Sequence, residues 1–429
     1  MKSKFQFYII YVVFQLCFSF TAQSQILIKG IIADETNKDP IPFASVSLKQ
    51  KLIGTTANEN GRFDFYIPED AKNDTLIINY LGYTSALIPI KTIKEFQIIY
   101  LKPSVFQIKE IVVTPISPTD YIRFAMRMAK FNYPDKPFET EAYYRNRMLE
   151  NNEIINLDEG IFKSYYANYQ DTTDKQHQLL LYQQADKKQL QFMKAKRDKK
   201  KEKFIEKNQK LKEKGKLDTA KKGSNGTGVV EFTNMMGGPE NLLNLDVIKS
   251  KEDFLDTNKF KNFKYEFDEP SSYQGRELIV IKFKSKGTSD HVRYVGKIYI
   301  DFETYAIVNL EYDGDFVIPI LLKPVIFMLG YGIENPTVYQ NVNYQFINGR
   351  WYPKNLQYNM AMKIERKYVF KTNEVANIYM EGIFAVNKIK LENVTNIPKT
   401  KQYDKKKKMK DQIYNDQGIS WNGMNMIKK

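Results

Sequence analysis

The sequence predicts a mainly β, multi-domain protein, in which a small N-terminal β-sandwich is followed by a larger antiparallel β-rich domain of the α+β type with a curved sheet. Three observations lead to this prediction. The chain has 429 residues, which favours two or more domains. It contains 29 Tyr and 28 Phe, residue types that are enriched in strands. Short strand-like runs recur roughly every 8–12 residues with turn residues between them, which is typical of a sandwich.

The first 25 residues have the three parts of a secretory signal peptide. Lys2 and Lys4 give a positive start, residues 5–20 are almost wholly apolar, and residues 21–24 are mostly small. We therefore expect cleavage near residues 22–25 and export of the remaining chain. An uncleaved membrane anchor is the alternative, although about 16 apolar residues are short for a membrane span.

The only cysteine, Cys17, lies inside this leader. The exported chain is therefore expected to contain no disulfide and to depend on the size of its core for stability. Residues 14–16 are too bulky for a lipoprotein cleavage site, so Cys17 is not predicted to carry a lipid. The expected location is the periplasm or the outer membrane.

The basic residues are concentrated in two segments. The formal net charge is +15, but the excess of Lys and Arg lies in a Lys-rich insert, 186–222, and in a basic tail, 399–429. Nucleic-acid binding is not expected, because the folded part has no basic face with interleaved aromatic residues. The insert has few apolar residues and predicts a solvated helix or a disordered segment. A basic surface for anionic lipid is the alternative.

Residues 26–102 are predicted to form the sandwich. The pair Asn60-Gly61 favours a two-residue hairpin turn with positive φ at both positions, leading into a strand at 62–67. In that strand Phe63 and Phe65 would share one face, so the turn would set the register. The predicted strands are 26–32, 44–48, 62–67, 75–80, 84–90 and 96–101.

Two stretches in this segment carry a family likeness: GIIADETNKDPIPFASVSLKQKLIGTTANENGRFDFYIP and LIINYLGYTS. Their order of motifs resembles the carboxypeptidase regulatory-like domain, a seven-stranded, transthyretin-like sandwich of immunoglobulin type. Ala57 and Asn58 replace the usual Thr or Ser and the usual Asp. The resemblance implies this fold and no activity. The matching positions are Gly30, Pro42, Ala44, Val46, Gly54, Thr55, Asn58, Gly61, Phe63, Gly82 and Tyr83.

A linker is predicted at 103–117 and the β-rich domain at 118–398. Ser117-Pro118 predicts the start of a helix that ends near Tyr133-Pro134. The stretch AMRMAKFNYPDKPFETEAYYRN resembles secreted proteins of no established activity, and GKIYIDFETYAIVNLEY is similar to a strand pair of periplasmic LolA-like half-barrels. Further strands are predicted at 278–283, 296–301, 305–312, on both sides of Asn348-Gly349, and at 368–371, 374–380 and 384–391.

The residues that common hydrolases need do not occur at the required spacing. A zinc carboxypeptidase would need His-x-x-Glu and a distant His, but only His177 and His291 occur, and no Glu follows either of them at that spacing. The sequence also has no G-x-S-x-G motif, no cysteine after the leader and no P-loop. We therefore predict no enzymatic activity and no catalytic, cofactor-binding or metal-binding residues.

Two patches could still bind something. Glu311, Asp313 and Asp315 surround Gly314 as in a Ca²⁺ loop, but the spacing of an EF-hand is missing, so an acidic turn at a strand end is expected. Residues 316–333 carry a single charge and are expected to pack as a helix into the mouth of the sheet. Contact with lipid or with a carried ligand is the alternative. The expected core residues of this segment are Phe316, Ile318, Ile320, Leu321, Val325, Phe327 and Leu329.

Together these observations predict an exported, non-catalytic binding or scaffold protein of the bacterial cell envelope. An envelope protein, a lipid or a membrane surface is the expected kind of partner, and no cofactor is expected. One alternative is a periplasmic carrier that holds an apolar ligand, lipid or lipoprotein, in a half-barrel. The other is a hydrolase whose carboxylates no motif reveals.

Overall fold

The structure is a computed structural model of the chain. It describes residues 25–94, 96–104, 116–169, 175–188, 242–287, 292–317, 330–334, 336–416 and 418–427, together with a few single positions between these ranges. Residues 1–24 of the predicted signal peptide, most of the Lys-rich insert and most of the linker lie outside the described residues. Among the residues described, no helix is long and apolar enough to cross a membrane.

The N-terminal part is a sandwich of seven strands in two sheets, as predicted. One sheet has the order β4-β1-β7 and the other the order β3-β2-β5-β6. Ile28, Phe63 and Phe65 are among the buried side chains that fill the space between the sheets. The strands are β1 (Gln25–Asp34), β2 (Ser45–Leu48), β3 (Gly54–Thr56), β4 (Arg62–Pro68), β5 (Thr75–Asn79), β6 (Ala86–Pro89) and β7 (Phe96–Leu101).

The turn at Asn60-Gly61 does not form the predicted hairpin. Strands β3 and β4 belong to different sheets, so the turn carries the chain from one layer of the sandwich to the other. Of the two residues only Gly61 has a positive φ, +69°. The side chain of Asn58 closes the turn by accepting hydrogen bonds from the backbone N–H groups of Asn60 and Arg62, both at 2.9 Å. This Asx-type closure replaces the predicted hairpin geometry.

Helix α1 (Pro118–Asn132) begins and ends where the sequence predicts. Ser117 is the N-cap: its Oγ accepts a hydrogen bond from the backbone N–H of Asp120 and donates one to the Asp120 carboxylate. The buried face of α1 contributes Tyr121, Ile122 and Ala125 to the core of the second domain. A second, short helix is α2 (Val247–Ser250), and single 3₁₀ turns occur at Glu69–Ala71, Ile90–Thr92, Phe260–Asn262, Lys399–Lys401 and Met409–Asp411.

The second domain is built on one curved antiparallel sheet of twelve strands. Its order is β10-β9-β8-β19-β18-β17-β15-β14-β13-β11, with β12 paired to β13 and β16 to β18. Its strands are β8 (Phe138–Glu150), β9 (Glu153–Tyr166), β10 (Lys175–Lys187), β11 (Phe263–Phe267), β12 (Ser271–Tyr273), β13 (Arg276–Ser285), β14 (Val292–Asp301), β15 (Ile307–Phe316), β16 (Tyr331–Ile333), β17 (Thr337–Ile347), β18 (Arg350–Arg366) and β19 (Glu374–Lys390).

Two details of the strand predictions for residues 368–391 are wrong. The runs 374–380 and 384–391 form the single strand β19, because Gly382 continues the strand where the ring of Tyr358 lies against the backbone and a Cβ would overlap it. Residues 368–371 are not a strand but lie in the turn between β18 and β19.

The predicted basic tail packs against the sheet from residue 399 to residue 427. The backbone N–H groups of Tyr403 and Tyr414 donate to the carbonyl oxygens of His177 and Leu179, so this segment covers the edge strand β10. The Asn425 side chain then binds both backbone groups of Tyr66, at the edge of the sandwich. On both sides of Asn425, Ile419, Trp421, Met424, Met426 and Ile427 form an apolar cluster with side chains of β8, β9, β10 and β19.

Candidate functional site

Nine side chains form three rows across the middle of the large sheet, on the face opposite its hydrophobic core. Pairing of β15, β17 and β18 sets the rows, and the residues between them, such as Leu310, Val342 and Leu356, are buried in the core. Successive side chains of a strand point to opposite faces, so the nine share one face. We call them the polar grid: Asn309, Asn343 and Asn355; Glu311, Asn341 and Gln357; Asp313, Tyr339 and Asn359.

The sandwich lies over part of this grid and forms the second wall of a cleft. The cleft has a volume of about 250 Å³ and is lined by grid residues together with Phe43, Asn79, Tyr80 and Leu81 of the sandwich. Direct hydrogen bonds join the two walls: the backbone N–H of Gly82 donates to the carbonyl oxygen of Ser272 at 2.8 Å. We call this space the polar cleft.

Two amide oxygens at the polar cleft lack a hydrogen-bond partner within the described part of the chain. They are Oδ1 of Asn309, whose residue is 3% exposed, and Oδ1 of Asn359. The Asn309 amide nitrogen donates to Asn341 at 3.2 Å, and the Asn341 amide nitrogen donates to the Tyr339 hydroxyl at 3.2 Å. A buried acceptor without a donor costs about 1–3 kcal/mol. Both oxygens are shielded from solvent, so a ligand with hydroxyl or N–H donors would remove that cost once the side chains over them move aside.

The tyrosines around the cleft remain protonated at neutral pH. Burial, followed by the nearness of Tyr339 and Glu311, raises the pKa of Tyr80, and burial raises the pKa of Tyr339. Burial and the Glu311 carboxylate likewise raise the pKa of Tyr299, whose hydroxyl donates to Glu311 at 2.6 Å. The cleft therefore presents neutral donors and acceptors around a carboxylate that is already hydrogen-bonded.

The polar cleft continues into a wider groove over β13 and β14. This groove, of about 560 Å³, shares Glu311 and Tyr339 with the cleft. Lys282 and Lys297 line it and both form ion pairs with Asp268, at 2.8 and 3.1 Å. Together the two spaces form an extended surface in which polar groups alternate with a larger apolar area, which suits a ligand that is longer than the cleft alone.

A partly buried cluster of charges lies where the sandwich meets the large sheet. Arg145 and Arg147 on β8 bind the two carboxylate oxygens of Glu381 on β19, at 2.8 and 2.7 Å. Glu59, in the turn closed by Asn58, reaches both arginines from the sandwich at 3.6 Å. Arg145 and Glu381 are 2% and 5% exposed. We call these four residues the arginine cluster.

Lys354 lies buried at the same interface, beside Gly54 of the sandwich. The residue is 1% exposed, and its Nζ donates to the carbonyl oxygen of Val386 at 2.9 Å. No carboxylate is among its hydrogen-bond partners in the described residues, and burial lowers the pKa of Lys354 from 10.5 to about 8. The charged form of Lys354 therefore costs the folded protein part of its stability.

This cost predicts a pH dependence of stability. A folded pKa below the unfolded one means that the unfolded chain binds more protons between about pH 8 and pH 10.5. The free energy of unfolding of the wild type should therefore rise by about 3 kcal/mol across this window relative to Lys354→Met. Urea unfolding of both proteins at several pH values measures the difference. The exposed Lys388→Met is the control, and parallel curves for wild type and Lys354→Met would contradict the prediction.

The carboxylates predicted from the sequence do not converge on one point. Glu311, Asp313 and Asp315 alternate along β15, on one face, instead of forming a turn at a strand end. Burial and the neighbouring Asp315 raise the pKa of Asp313. Among the described residues no group of three or more His, Cys, Asp or Glu side chains could hold a metal ion. His177 is buried on β10 with its Nδ1 2.8 Å from Ser164 Oγ, and His291 lies outside the described residues.

The apolar segment 316–333 does not match its predicted place in the core where the structure describes it. Phe316 is 42% exposed and Phe327 66% exposed, so the prediction that these two residues are buried is wrong. Met328 is 78% exposed. Tyr331–Ile333 form β16 at the side of β18. The other predicted core residues, Ile318, Ile320, Leu321, Val325 and Leu329, lie outside the described residues.

The polar grid was not predicted from the sequence. Its only local signal is the alternation of amide and apolar residues in Asn341-Val342-Asn343 and in 355–359. Such alternation predicts a half-buried strand with a polar outer face. The grid itself depends on the register between three strands, which no local pattern gives.

Comparison with solved structures finds two of very low sequence identity. One is a protein described as membrane-associated and of unknown function from Bacteroides fragilis NCTC 9343: 11% identity, 85% of this chain and 98% of that chain covered, TM-score 0.15. The other is a DUF1329 family protein from Desulfovibrio piger ATCC 29098: 9% identity, 66% and 96% covered, TM-score 0.23. At these values nothing about the activity of this chain follows from either structure.

A comparison with curated proteins gives no match. A comparison with family models matches residues 28–113 to the CarboxypepD_reg-like domain. That range contains all seven strands of the sandwich except the first residues of β1, together with Glu59 and Tyr80, which face the large sheet. The chain therefore carries a CarboxypepD_reg-like domain at residues 28–113, as its motifs predict.

Proposed function

We propose that the chain is an exported, non-catalytic binding protein of the bacterial cell envelope, and that its ligand is a hydroxyl-rich molecule of the saccharide class held in the polar cleft. The observation that carries this proposal is the polar grid with its two amide oxygens, of Asn309 and Asn359, that lack partners among the described residues. Export and an envelope location rest on the leader-like residues 1–25.

The chemistry of the lining favours a saccharide. Each Asn or Gln offers both donors and an acceptor, which matches hydroxyl groups that also donate and accept. Tyr80 and Tyr339 add aromatic surface next to these amides, of the kind that packs against the apolar faces of sugar rings. An acyl chain would leave the amides without hydrogen bonds, at a cost for each of them. The amides and their two oxygens without partners, rather than the overall polarity of the lining, favour a hydrophilic ligand over the alternative of an apolar carrier.

A binding measurement on Asn359→Leu tests the proposal. No hydrogen bond to this side chain's oxygen exists among the described residues, so its replacement should leave the thermal unfolding temperature unchanged or raise it. Binding of a soluble saccharide panel, such as chitin and maltose hexamers, should nevertheless weaken by about tenfold, since a ligand hydrogen bond and cleft shape are both lost. Isothermal titration calorimetry gives the affinities.

The matched control is Asn262→Ala, an exposed amide away from the cleft. It should bind the panel like the wild type. If the wild type binds no saccharide of the panel, or if Asn359→Leu binds as tightly as the wild type, the proposed ligand class is wrong. A fatty acid or phospholipid that copurifies with the wild type and is retained by Asn359→Leu would support the carrier alternative instead.

A further inference from the structure

Four apolar side chains project from one end of the large sheet. Val369 and Phe370, in the turn between β18 and β19, are 87% and 99% exposed, and Phe327 and Met328 are 66% and 78% exposed. Lys367 joins the two pairs: its Nζ lies 5.4 Å from the centre of the Phe327 ring, and its backbone N–H donates to Gly330. We call Phe327, Met328, Val369 and Phe370 the apolar tip.

The turn that carries the tip is held by its own polar contacts. The backbone N–H of Tyr368 donates to the Asn373 side chain at 3.0 Å, and the Tyr368 hydroxyl donates to Glu374 at 2.9 Å. The Arg366 guanidinium lies 4.5 Å from the centre of the Tyr331 ring. Tyr368 therefore forms hydrogen bonds with Asn373 and Glu374 within the turn, while Val369 and Phe370 face solvent. Large exposed apolar groups of this kind mark contact with a partner or a membrane.

The charge of the turn indicates which partner. In residues 366–373, RKYVFKTN, Arg366, Lys367 and Lys371 are basic and no residue is acidic. Glu365 and Glu374 flank this stretch at the strand ends. Their ion pairs with Lys367 and Lys371 are 3.9 and 3.3 Å long and largely exposed. Exposed pairs of this length contribute little and exchange readily for other anions. Aromatic and aliphatic side chains between basic ones suit the headgroup region of an anionic bilayer.

We propose that the apolar tip inserts into the interface of a membrane that contains anionic lipid, with Lys367 and Lys371 beside the lipid phosphates. Asn359 lies seven residues before Arg366 on β18, which is about 23 Å along the strand. The polar cleft would then open a short distance above the membrane surface. This inference is independent of the ligand of the cleft, because it rests on other residues.

Cosedimentation with vesicles tests the proposal on the full exported chain. The wild type should bind vesicles of phosphatidylethanolamine and phosphatidylglycerol better than vesicles of phosphatidylcholine, and added salt should weaken the binding. The double variant Val369→Ser/Phe370→Ser should bind the anionic vesicles about tenfold or more weakly, because two apolar side chains no longer leave water. Lys367→Gln/Lys371→Gln should lose the preference for anionic lipid.

The control is Phe302→Ser, which changes a 53% exposed phenylalanine in the turn between β14 and β15 at the opposite end of the sheet. It should bind vesicles like the wild type, and all variants should keep the wild-type unfolding temperature because the changed side chains are exposed. Equal binding by wild type and tip variant overturns the proposal. So does a wild-type dimer in sedimentation velocity that the tip variant dissociates while neither protein binds vesicles, since the tip would then contact a second copy of the chain.

Discussion

Replacement of Glu381 by Ala is expected to lower the free energy of unfolding by about 3–5 kcal/mol. The carboxylate of Glu381 is the shared partner of Arg145 and Arg147, at 2.8 and 2.7 Å. Without it the guanidinium of Arg145, which is 2% exposed, would stay buried with only the more distant Glu59 to balance its charge. A buried charge without a close partner is far more costly than the pair is stabilising.

Chemical unfolding of the wild type and Glu381→Ala measures this effect. Two matched variants distinguish the cost of a buried charge without a close partner from the loss of an exposed ion pair. Glu59→Ala removes a partner that is 3.6 Å away and 37% exposed at the side chain, so it should cost no more than about 1 kcal/mol. Glu365→Ala removes an exposed pair at the end of the same sheet and should be nearly neutral. A loss below about 1 kcal/mol for Glu381→Ala would mean that its carboxylate does not balance the buried charge of Arg145.

Replacement of Gly61 by Val is expected to cost about 2–6 kcal/mol, the second large effect. Gly61 has a φ of +69°, where a β-branched side chain is strained by about 1–3 kcal/mol. A Cβ at this position would also overlap the carbonyl oxygen of Ile32, which adds a packing cost of similar size. The backbone N–H of Ile32 donates to the Gly61 carbonyl, so β1 cannot move away without losing that bond.

Thermal unfolding of the full chain with each substitution tests the assignment of the turn. Asn60→Val is the control, because Asn60 does not have a positive φ and its side chain is exposed. It should change stability by less than about 1 kcal/mol. If both variants were destabilised alike, the hairpin with two positive φ angles would describe this turn better than the geometry closed by Asn58.

The sandwich could be predicted because its signals are local. Gly61 and the alternation of Phe63 and Phe65 fix a turn and a face within a few residues. The same signals could not show that β3 and β4 lie in different layers, since that depends on which strand pairs with β1. Local residues therefore predicted the strands but not the connection between the sheets.

The large sheet was predicted less completely for a physical reason. In β8 and β9 both faces are buried, one against the core and the other against the sandwich and the C-terminal segment, so the burial pattern does not alternate cleanly. Their polar residues, such as Arg145 and Glu159, are buried in pairs. Alternation of polar and apolar residues indicates a strand with one face in solvent and one in the core. It does not detect strands that are buried on both faces.

The candidate site also depended on contacts that are distant in sequence. The acidic residues that the sequence singles out, Glu311, Asp313 and Asp315, lie on or beside the polar grid. The amides of β17 and β18 that complete the grid carry no catalytic signature by themselves. Only the pairing Asn309 to Asn343 to Asn355 brings them into one surface.

The pairing of β8 with β19 governs the order in which the chain can fold. Met148 lies opposite Met380, so the middle of the sheet joins strands separated by roughly 230 residues. The buried core of the sandwich lies wholly within residues 28–101, so its packing does not need the later strands. Strands β8–β10 keep an unpaired edge until β19 pairs with β8. That pairing closes a long loop, and the entropy lost in closing the loop makes the step slow. A chain that lacks its last strand would thus leave β8–β10 as a separate, aggregation-prone sheet beside a folded sandwich.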